Sequence, residues 1–135
     1  MNRSRKYALS LLALALALLA SPLAAGRLHG WELLGERAVS DALDHDVIPV
    51  TAAKGDFKSL KVVVRRHAVQ FRDMKIHFGD GSVQDVELRA VIPAGGESRV
   101  IDVVGKDRVI RSVELTYDAQ TLRGKKAHIR LFGKN

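Results

Sequence analysis

Alternation of apolar and polar side chains is the feature that most constrains the fold of this chain. Apolar residues recur at every second position in four segments, which are Leu60, Val62 and Val64, then Met74, Ile76 and Phe78, then Val113, Leu115 and Tyr117, then Ala127, Ile129 and Leu131. Every second side chain of a β-strand points to the same face, so this pattern predicts strands with one buried face. The predicted core contains Leu60, Val62, Val64, Met74, Ile76, Phe78, Val113, Leu115 and Ile129.

Turn-forming residues separate these segments. Gly79-Asp80-Gly81-Ser82 predicts a hairpin, because Asp-Gly readily supplies the positive φ angles of a tight turn. Pro93-Ala94-Gly95-Gly96 ends the predicted return strand, whose apolar positions are Val86, Leu88 and Ala90. These turns favour antiparallel pairing between neighbouring strands.

The apolar period slips by one residue at two places. One slip lies near Arg72-Asp73, and the other lies between Ile110 and Val113. An extra residue in a strand forms a β-bulge, which bends the strand and suits a curved sandwich. We therefore predict a bulge at each slip.

Two further segments complete the set of strands. Val100 to Val104 is apolar on both faces and predicts a central strand. Glu32 to Val39 predicts an edge strand, with a helical turn at residues 40–43 as the alternative. The pattern of seven or eight short strands predicts an all-β fold, a single antiparallel β-sandwich that is jelly-roll-like.

The first 26 residues have the organisation of a secretory signal peptide. Basic residues at the start are followed by the Leu/Ala run from Ala8 to Ala20 and by small residues up to Gly26. The apolar run is about thirteen residues, shorter than the ~20 that cross a bilayer. We expect cleavage after Ala25 or Gly26, one domain at residues 27–135 with no membrane-spanning segment, and a periplasmic or secreted location. The alternative is an uncleaved membrane anchor.

The composition after residue 26 narrows the possible chemistry. The remaining 109 residues contain no cysteine, which excludes disulfides, thiolate metal sites and thiol nucleophiles. Without Arg3, Arg5 and Lys6, 19 Lys and Arg residues face 15 Asp and Glu residues, a net charge of +4. A surplus of this size favours contact with anionic glycans, lipid headgroups or cell-wall polymers.

The densest polar segment runs from Asp41 to Asp46. Asp44 and Asp46 offer hard oxygen ligands, but the segment lacks the other positions of an EF-hand loop, and Ca²⁺ takes six to eight oxygens. We therefore predict a structural role, in which both carboxylates accept hydrogen bonds from the backbone or from Arg108 or Arg111. A bound cation is the alternative.

No segment predicts catalytic residues, a cofactor or a resident metal. The motifs Gly-x-Ser-x-Gly and His-Glu-x-x-His are absent, and no pattern pairs two carboxylates as a glycosidase requires. The five histidines lack the spacing of a zinc-binding helix. His77 and His128 fall on the polar faces of their predicted strands, which is typical of solvated positions, and a two-histidine metal site between strands is the alternative.

Basic residues form groups at Arg65-Arg66-His67, at Arg108 and Arg111, and at Arg123-Gly124-Lys125-Lys126. Proteins that bind nucleic acid on a β-surface combine such charges with aromatic residues that stack on bases. The chain has only seven aromatic residues, and the parity of the core is shared by Phe71, Phe78 and Tyr117. We therefore expect solvated surfaces at these groups and no nucleic-acid partner.

Several short motifs occur in a defined order along the chain. They include Trp31-x-x-Leu34-Gly35, Asp44-x-Asp46-Val47-Ile48-x-Val50, Gly55-x-Phe57-x-x-Leu60 and Arg108-x-Ile110-x-x-Val113-x-Leu115-x-Tyr117. In this order they resemble a family of short exported proteobacterial β-sandwich domains of unknown function. The resemblance covers Trp31 to Gly133, and it implies a fold and a compartment but no catalytic residue.

These features predict an exported, non-enzymatic β-sandwich that binds an envelope glycan or another envelope component. Trp31 is the aromatic residue that we expect on the ligand-binding face. One alternative is a structural or accessory envelope protein that engages a partner protein through an edge strand. A glycan-active enzyme is the second alternative.

Overall fold

The computed structural model describes residues 29–39, 45–51, 54–118 and 126–135. Within these ranges the strands are β1 (Glu32–Val39), β2 (His45–Pro49), β3 (Asp56–Phe57), β4 (Ser59–Arg65), β5 (Val69–Phe78), β6 (Val83–Val86), β7 (Ala90–Ile92), β8 (Ile101–Asp102), β9 (Arg108–Tyr117) and β10 (Ala127–Lys134). The predicted signal peptide, the alternative helical turn at 40–43, Asp44 and residues 123–125 lie outside the described residues.

Two antiparallel sheets form the domain. The first sheet has the order β1-β10-β4-β8, and the second has the order β2-β9-β5-β6, with β3 also paired to β9 and β7 also paired to β5. The predicted all-β sandwich of antiparallel strands is confirmed, and β1 is an edge strand as expected. The strands outnumber the prediction because β3 has only two residues, too few to produce a recognisable alternation, and because the predicted return strand is divided into β6 and β7.

The core lies between the sheets and has the predicted composition. All nine residues predicted for the core are buried, with Phe78 the most exposed of them at 2%. They belong to one contiguous apolar cluster to which the inward faces of both sheets contribute. The alternation in the sequence therefore identifies the buried face of β4, β5, β9 and β10 correctly.

Both predicted bulges are present. Arg72 is the extra residue on β5 and Arg111 is the extra residue on β9, because the register of these two paired strands shifts at both points. The predicted return strand is not continuous, and its break lies beside the first bulge. Val86 of β6 pairs with Met74, whereas Ala90 of β7 pairs with Phe71, so the ladder breaks opposite the bulge.

The prediction of a central strand at Val100–Val104 is wrong. The segment contributes only β8, at the edge of the first sheet, and Val100 and Val104 are 52% and 62% exposed. The side-chain amide of Gln84 closes this edge, because it donates to the carbonyl of Asp102 at 3.0 Å and accepts from the amide of Val104 at 2.9 Å. An apolar run on both faces here reflects exposure at an edge, and not double-sided burial.

The connections between strands lie at two opposite ends of the sandwich. One end contains the β4–β5 turn, the turn at 93–96 and the start of β10, since Arg65 lies next to the start of β10 and Val64 is hydrogen-bonded to Gly95 and Gly96. The other end contains the β5–β6 hairpin and the start of β9, where the amide of Gly79 donates to the carbonyl of Val109. The two ends differ in whether their basic side chains form ion pairs with carboxylates.

Candidate functional site

Asp46 contacts β1 and β9 instead of the arginines predicted for it. One carboxylate oxygen lies 3.7 Å from Nε of Arg37, and the other accepts a hydrogen bond of 3.4 Å from the hydroxyl of Tyr117. Nε of Arg37 also donates to the carbonyl of Val47 at 3.2 Å. Asp46 therefore helps to join edge strands of the two sheets.

Arg108 lies far from Asp46. Its guanidinium donates to Asp80 and Ser82, at 2.8 Å each, and lies 4.0 Å from the centre of the Phe78 ring. Asp46 pairs with Leu115, seven residues along β9 from Arg108, which is about 23 Å at ~3.3 Å per residue. The structure therefore does not bring Asp46 and Arg108 together.

Arg111 is exposed at the second bulge, and its backbone carbonyl accepts a hydrogen bond from the amide of Val50.

Asp80 is held by the hairpin and by Arg108. Hydrogen bonds from the hydroxyl and amide of Ser82 lower the pKa of Asp80, and the Arg108 charge adds to this effect. Asp80 and Arg108 are therefore a preformed ionic contact that holds the hairpin against β9.

Trp31 is half-buried in contact with two lysines. Nζ of Lys61 lies 4.6 Å from the centre of the indole ring and Nζ of Lys134 lies 5.8 Å from it, which is the geometry of a cation–π contact. Lys61 itself is 3% exposed and donates to Glu97 at 3.3 Å. The structure thus places Trp31 over a buried cation of the first sheet, where the ring covers Lys61.

A histidine–glutamate–histidine contact crosses the second sheet and was not predicted. Nε2 of His77 lies 2.6 Å from one oxygen of Glu114, and Nε2 of His45 lies 3.0 Å from the other. These hydrogen bonds lower the pKa of Glu114. Because each imidazole contacts a different oxygen, the cluster ties β2, β9 and β5 together. All three residues occupy polar positions in the alternating pattern of the sequence, but only the order of the strands brings them into contact.

The described ranges contain no group of three His, Cys, Asp or Glu side chains arranged to hold a metal ion. In the same ranges, no helix is long and apolar enough to cross a membrane.

The end of the sandwich that contains the β4–β5 turn is called the basic end here. Arg65, Arg66 and Lys126 are exposed there, and none of the three has an acidic side chain within ion-pair distance among the described residues. Arg66 has a φ of 76°, a left-handed conformation that turns the chain sharply between β4 and β5. The turn therefore presents two adjacent guanidinium groups to solvent.

An open groove lies on the second sheet beside the basic end. It has a volume of about 510 Å³ and is lined by Gln70, Phe71, Arg72, Arg89, Ala90 and Val91. This volume is within the ~300–1,000 Å³ range of ligand-binding pockets. The groove is called the arginine groove below.

The opposite end, which contains the β5–β6 hairpin, is called the paired end. Two of its cations face carboxylates, in the Arg108–Asp80 pair at 2.8 Å and the Lys58–Asp107 pair at 3.8 Å, whereas Lys106 is exposed and has no ion pair among the described residues. A depression of about 470 Å³ here is lined by Asp80 and Asp107 on either side of Arg108. Both carboxylates are engaged by cations, Asp80 by Arg108 and Asp107 by Lys58.

A family model described as "Domain of unknown function (DUF2541)" matches residues 9–133. The match covers β1 to β9, β10 as far as Gly133, and most of the apolar run from Ala8 to Ala20. It confirms the resemblance to a family whose function is not assigned. A comparison with curated proteins gives no match.

Solved structures with a similar fold include AlgX from Pseudomonas aeruginosa, with a TM-score of 0.52 and 12% identity over 77% of this chain. This chain spans only 27% of AlgX, and at this identity the similarity shows the fold alone. A weaker match is the tripod (BppUct-A-L) of the phage Tuc2009 baseplate, with a TM-score of 0.37 and 13% identity; the match covers 74% of this chain and 88% of that chain. Another is the TDP-fucose-3,4-ketoisomerase WlaRA from Campylobacter jejuni, with a TM-score of 0.31 and 13% identity; the match covers 77% of this chain and 62% of that chain.

Proposed function

The chain belongs to the DUF2541 family of domains of unknown function, and from this premise we propose that it is an exported, non-enzymatic domain that binds an acidic envelope glycan at its basic end. The observation that carries this proposal is that three exposed cations at the basic end have no acidic partner among the described residues, whereas Arg108 and Lys58 at the paired end face carboxylates. At the basic end, Arg65, Arg66 and Lys126 keep their charges available to an external anion.

Unpaired cations at one end of the sandwich suit a polymer with repeated negative charge. Each exposed contact between a guanidinium and a carboxylate contributes little, of the order of 0.2–1 kcal/mol. Several such contacts along one polymer add up without a deep pocket. The mature net charge of +4 acts in the same direction, because it attracts anions to the domain.

The basic, apolar and small-residue order of the first 26 residues supports export of the domain to the envelope. Two carboxylates, those of Glu114 and Asp80, already take part in contacts between strands and turns, and this supports a binding role over catalysis. Glu114 is held by two histidines and Asp80 by Ser82 and Arg108.

A matched pair of substitutions tests the basic end. Arg66 and Lys106 are both exposed cations with positive φ, at 76° and 54°, and they lie at opposite ends of the sandwich. Asparagine tolerates this backbone conformation, so Arg66→Asn and Lys106→Asn each remove one charge without adding strain. We expect Arg66→Asn to weaken binding to polygalacturonate about two- to fivefold, and Lys106→Asn to leave it unchanged.

Affinity is measured by biolayer interferometry at low salt, with neutral dextran as the control polymer. Added salt should weaken binding, because it screens exposed charges. Equal effects of the two substitutions, or no binding of wild-type protein to the acidic polymer, would contradict the proposal.

A further inference from the structure

Two arginine side chains line the arginine groove. Phe71 of β5 pairs with Ala90 of β7, and the groove is lined by Arg72, which follows Phe71, and by Arg89, which precedes Ala90. Two cations that line one groove repel each other. An anion between them would remove this repulsion.

Existing contacts neutralise only one of these two charges. Arg72 lies 3.5 Å from the carboxylate of Asp118 and is 63% exposed at its side chain. Arg89 is exposed, and within the described part of the chain it has no acidic partner. Asp118 thus offsets the charge of Arg72, while Arg89 keeps the groove positively charged.

The remaining lining is suited to the neutral part of a sugar. Val91 is 65% exposed and forms an apolar wall, and the exposed Gln70 adds an amide that both donates and accepts hydrogen bonds. A sugar ring has apolar C–H faces and hydroxyl groups, so its ring suits the valine and the amide, and an acidic substituent suits the guanidinium groups.

We infer that the arginine groove is a subsite for one oxyanion-bearing sugar, with Arg89 and Arg72 binding its carboxylate or phosphoryl group and Val91 packing against its ring. This inference rests on the proposed function, since it adds a single-sugar site to the polymer-binding basic end. The two anionic groups share their chemistry with guanidinium, and the ligands below distinguish them.

Three sugars that differ only at C6 make a matched ligand set, namely glucose, glucuronate and glucose 6-phosphate. Each is titrated to millimolar concentration into ¹⁵N-labelled protein, and amide chemical shifts are followed. We expect saturable shifts at residues 70–72 and 89–91 with glucuronate, with glucose 6-phosphate or with both, and none with glucose. The anion that binds identifies the substituent.

Two variants control this experiment. Arg89→Ala should abolish the saturable shifts, whereas Arg111→Ala, which removes an exposed arginine at the second bulge, should retain them. The inference is overturned if neither anionic sugar shifts the groove, if Arg89→Ala retains the shifts, or if both variants reduce them equally. Polymer binding that depends on Arg66 but not on Arg89 would overturn this subsite and leave the proposed function standing.

Discussion

The two ends of this sandwich use the same residue types in opposite ways. At the paired end, Arg108 is fixed by Asp80, Ser82 and the Phe78 ring. At the basic end, Arg65 and Arg66 have no such partners among the described residues. A cation that is held by neighbours contributes to the fold, whereas a cation that is left in solvent is available to a ligand.

The difference follows from the turns that form each end. The hairpin at 79–82 carries its own carboxylate, and Asp80 accepts from both the amide and the hydroxyl of Ser82. The β4–β5 turn carries arginines and no acidic residue. The sequence of each turn therefore decides whether the arginines beside it form ion pairs within the protein.

The largest effect is expected in the core that supports both ends. Ile76 is fully buried between the sheets, and Ile76→Ala should lower the free energy of unfolding by about 2–5 kcal/mol. Because one core supports both ends, amide protection should fall at both of them together. Urea denaturation and hydrogen exchange measure this, and a loss confined to one end would show that the ends unfold independently.

Arginine removal should separate the two ends. Arg108→Ala should cost about 1–2 kcal/mol of stability, since it removes hydrogen bonds and a cation–π contact. Arg66→Asn should change stability by less than about 0.5 kcal/mol, as exposed substitutions without partners do. Thermal and urea denaturation measure both variants. Similar losses would mean that Arg66 also has a structural role.

Acid should weaken the paired end before the basic end. The folded-state pKa of Asp80 lies below its usual value, mainly because Ser82 donates to the carboxylate. Its contribution is therefore present above the unfolded-state pKa and is lost as pH falls through the folded-state pKa. Hydrogen exchange between pH 5 and pH 2 should show earlier loss of protection at 79–82 than at 65–68. In Asp80→Asn this difference should shrink, and its persistence would assign the effect to another group.

Calcium should have the smallest effect. Asp46 is engaged by Arg37 and Tyr117, so millimolar Ca²⁺ should leave the melting temperature unchanged. Asp46→Asn should destabilise the protein to the same extent with and without Ca²⁺. A rise in melting temperature on adding Ca²⁺ that Asp44→Asn or Asp46→Asn abolishes would establish a cation site. Such a site would lie outside both the basic end and the paired end.

Features set by local alternation could be predicted from the sequence. The buried faces of β4, β5 and β9 and the bulges at Arg72 and Arg111 follow from which positions are apolar. Val100–Val104 misled the prediction because an apolar run has the same pattern at an exposed edge as in a central strand. The predicted signal peptide lies outside the described residues, so export and cleavage stay predictions.

Contacts that depend on strand order could not be predicted. Arg37 reaches Asp46 because the edge strands of the two sheets lie beside each other, and Glu114 meets His45 and His77 because β9 lies between β2 and β5. Both arrangements join residues that are distant in sequence. The arginine groove likewise depends on the pairing of β7 with β5.

Gln84 has a consequence for the behaviour of the protein at high concentration. Its amide binds the same two backbone groups, the carbonyl of Asp102 and the N–H of Val104, that a strand from a neighbouring molecule would otherwise bind. Unsatisfied groups at a sheet edge invite such pairing. A side chain of the protein itself thus occupies the hydrogen-bonding positions through which copies of the chain would pair. The exposed valines beside Gln84 therefore lack the free backbone groups that a strand of another copy needs for pairing.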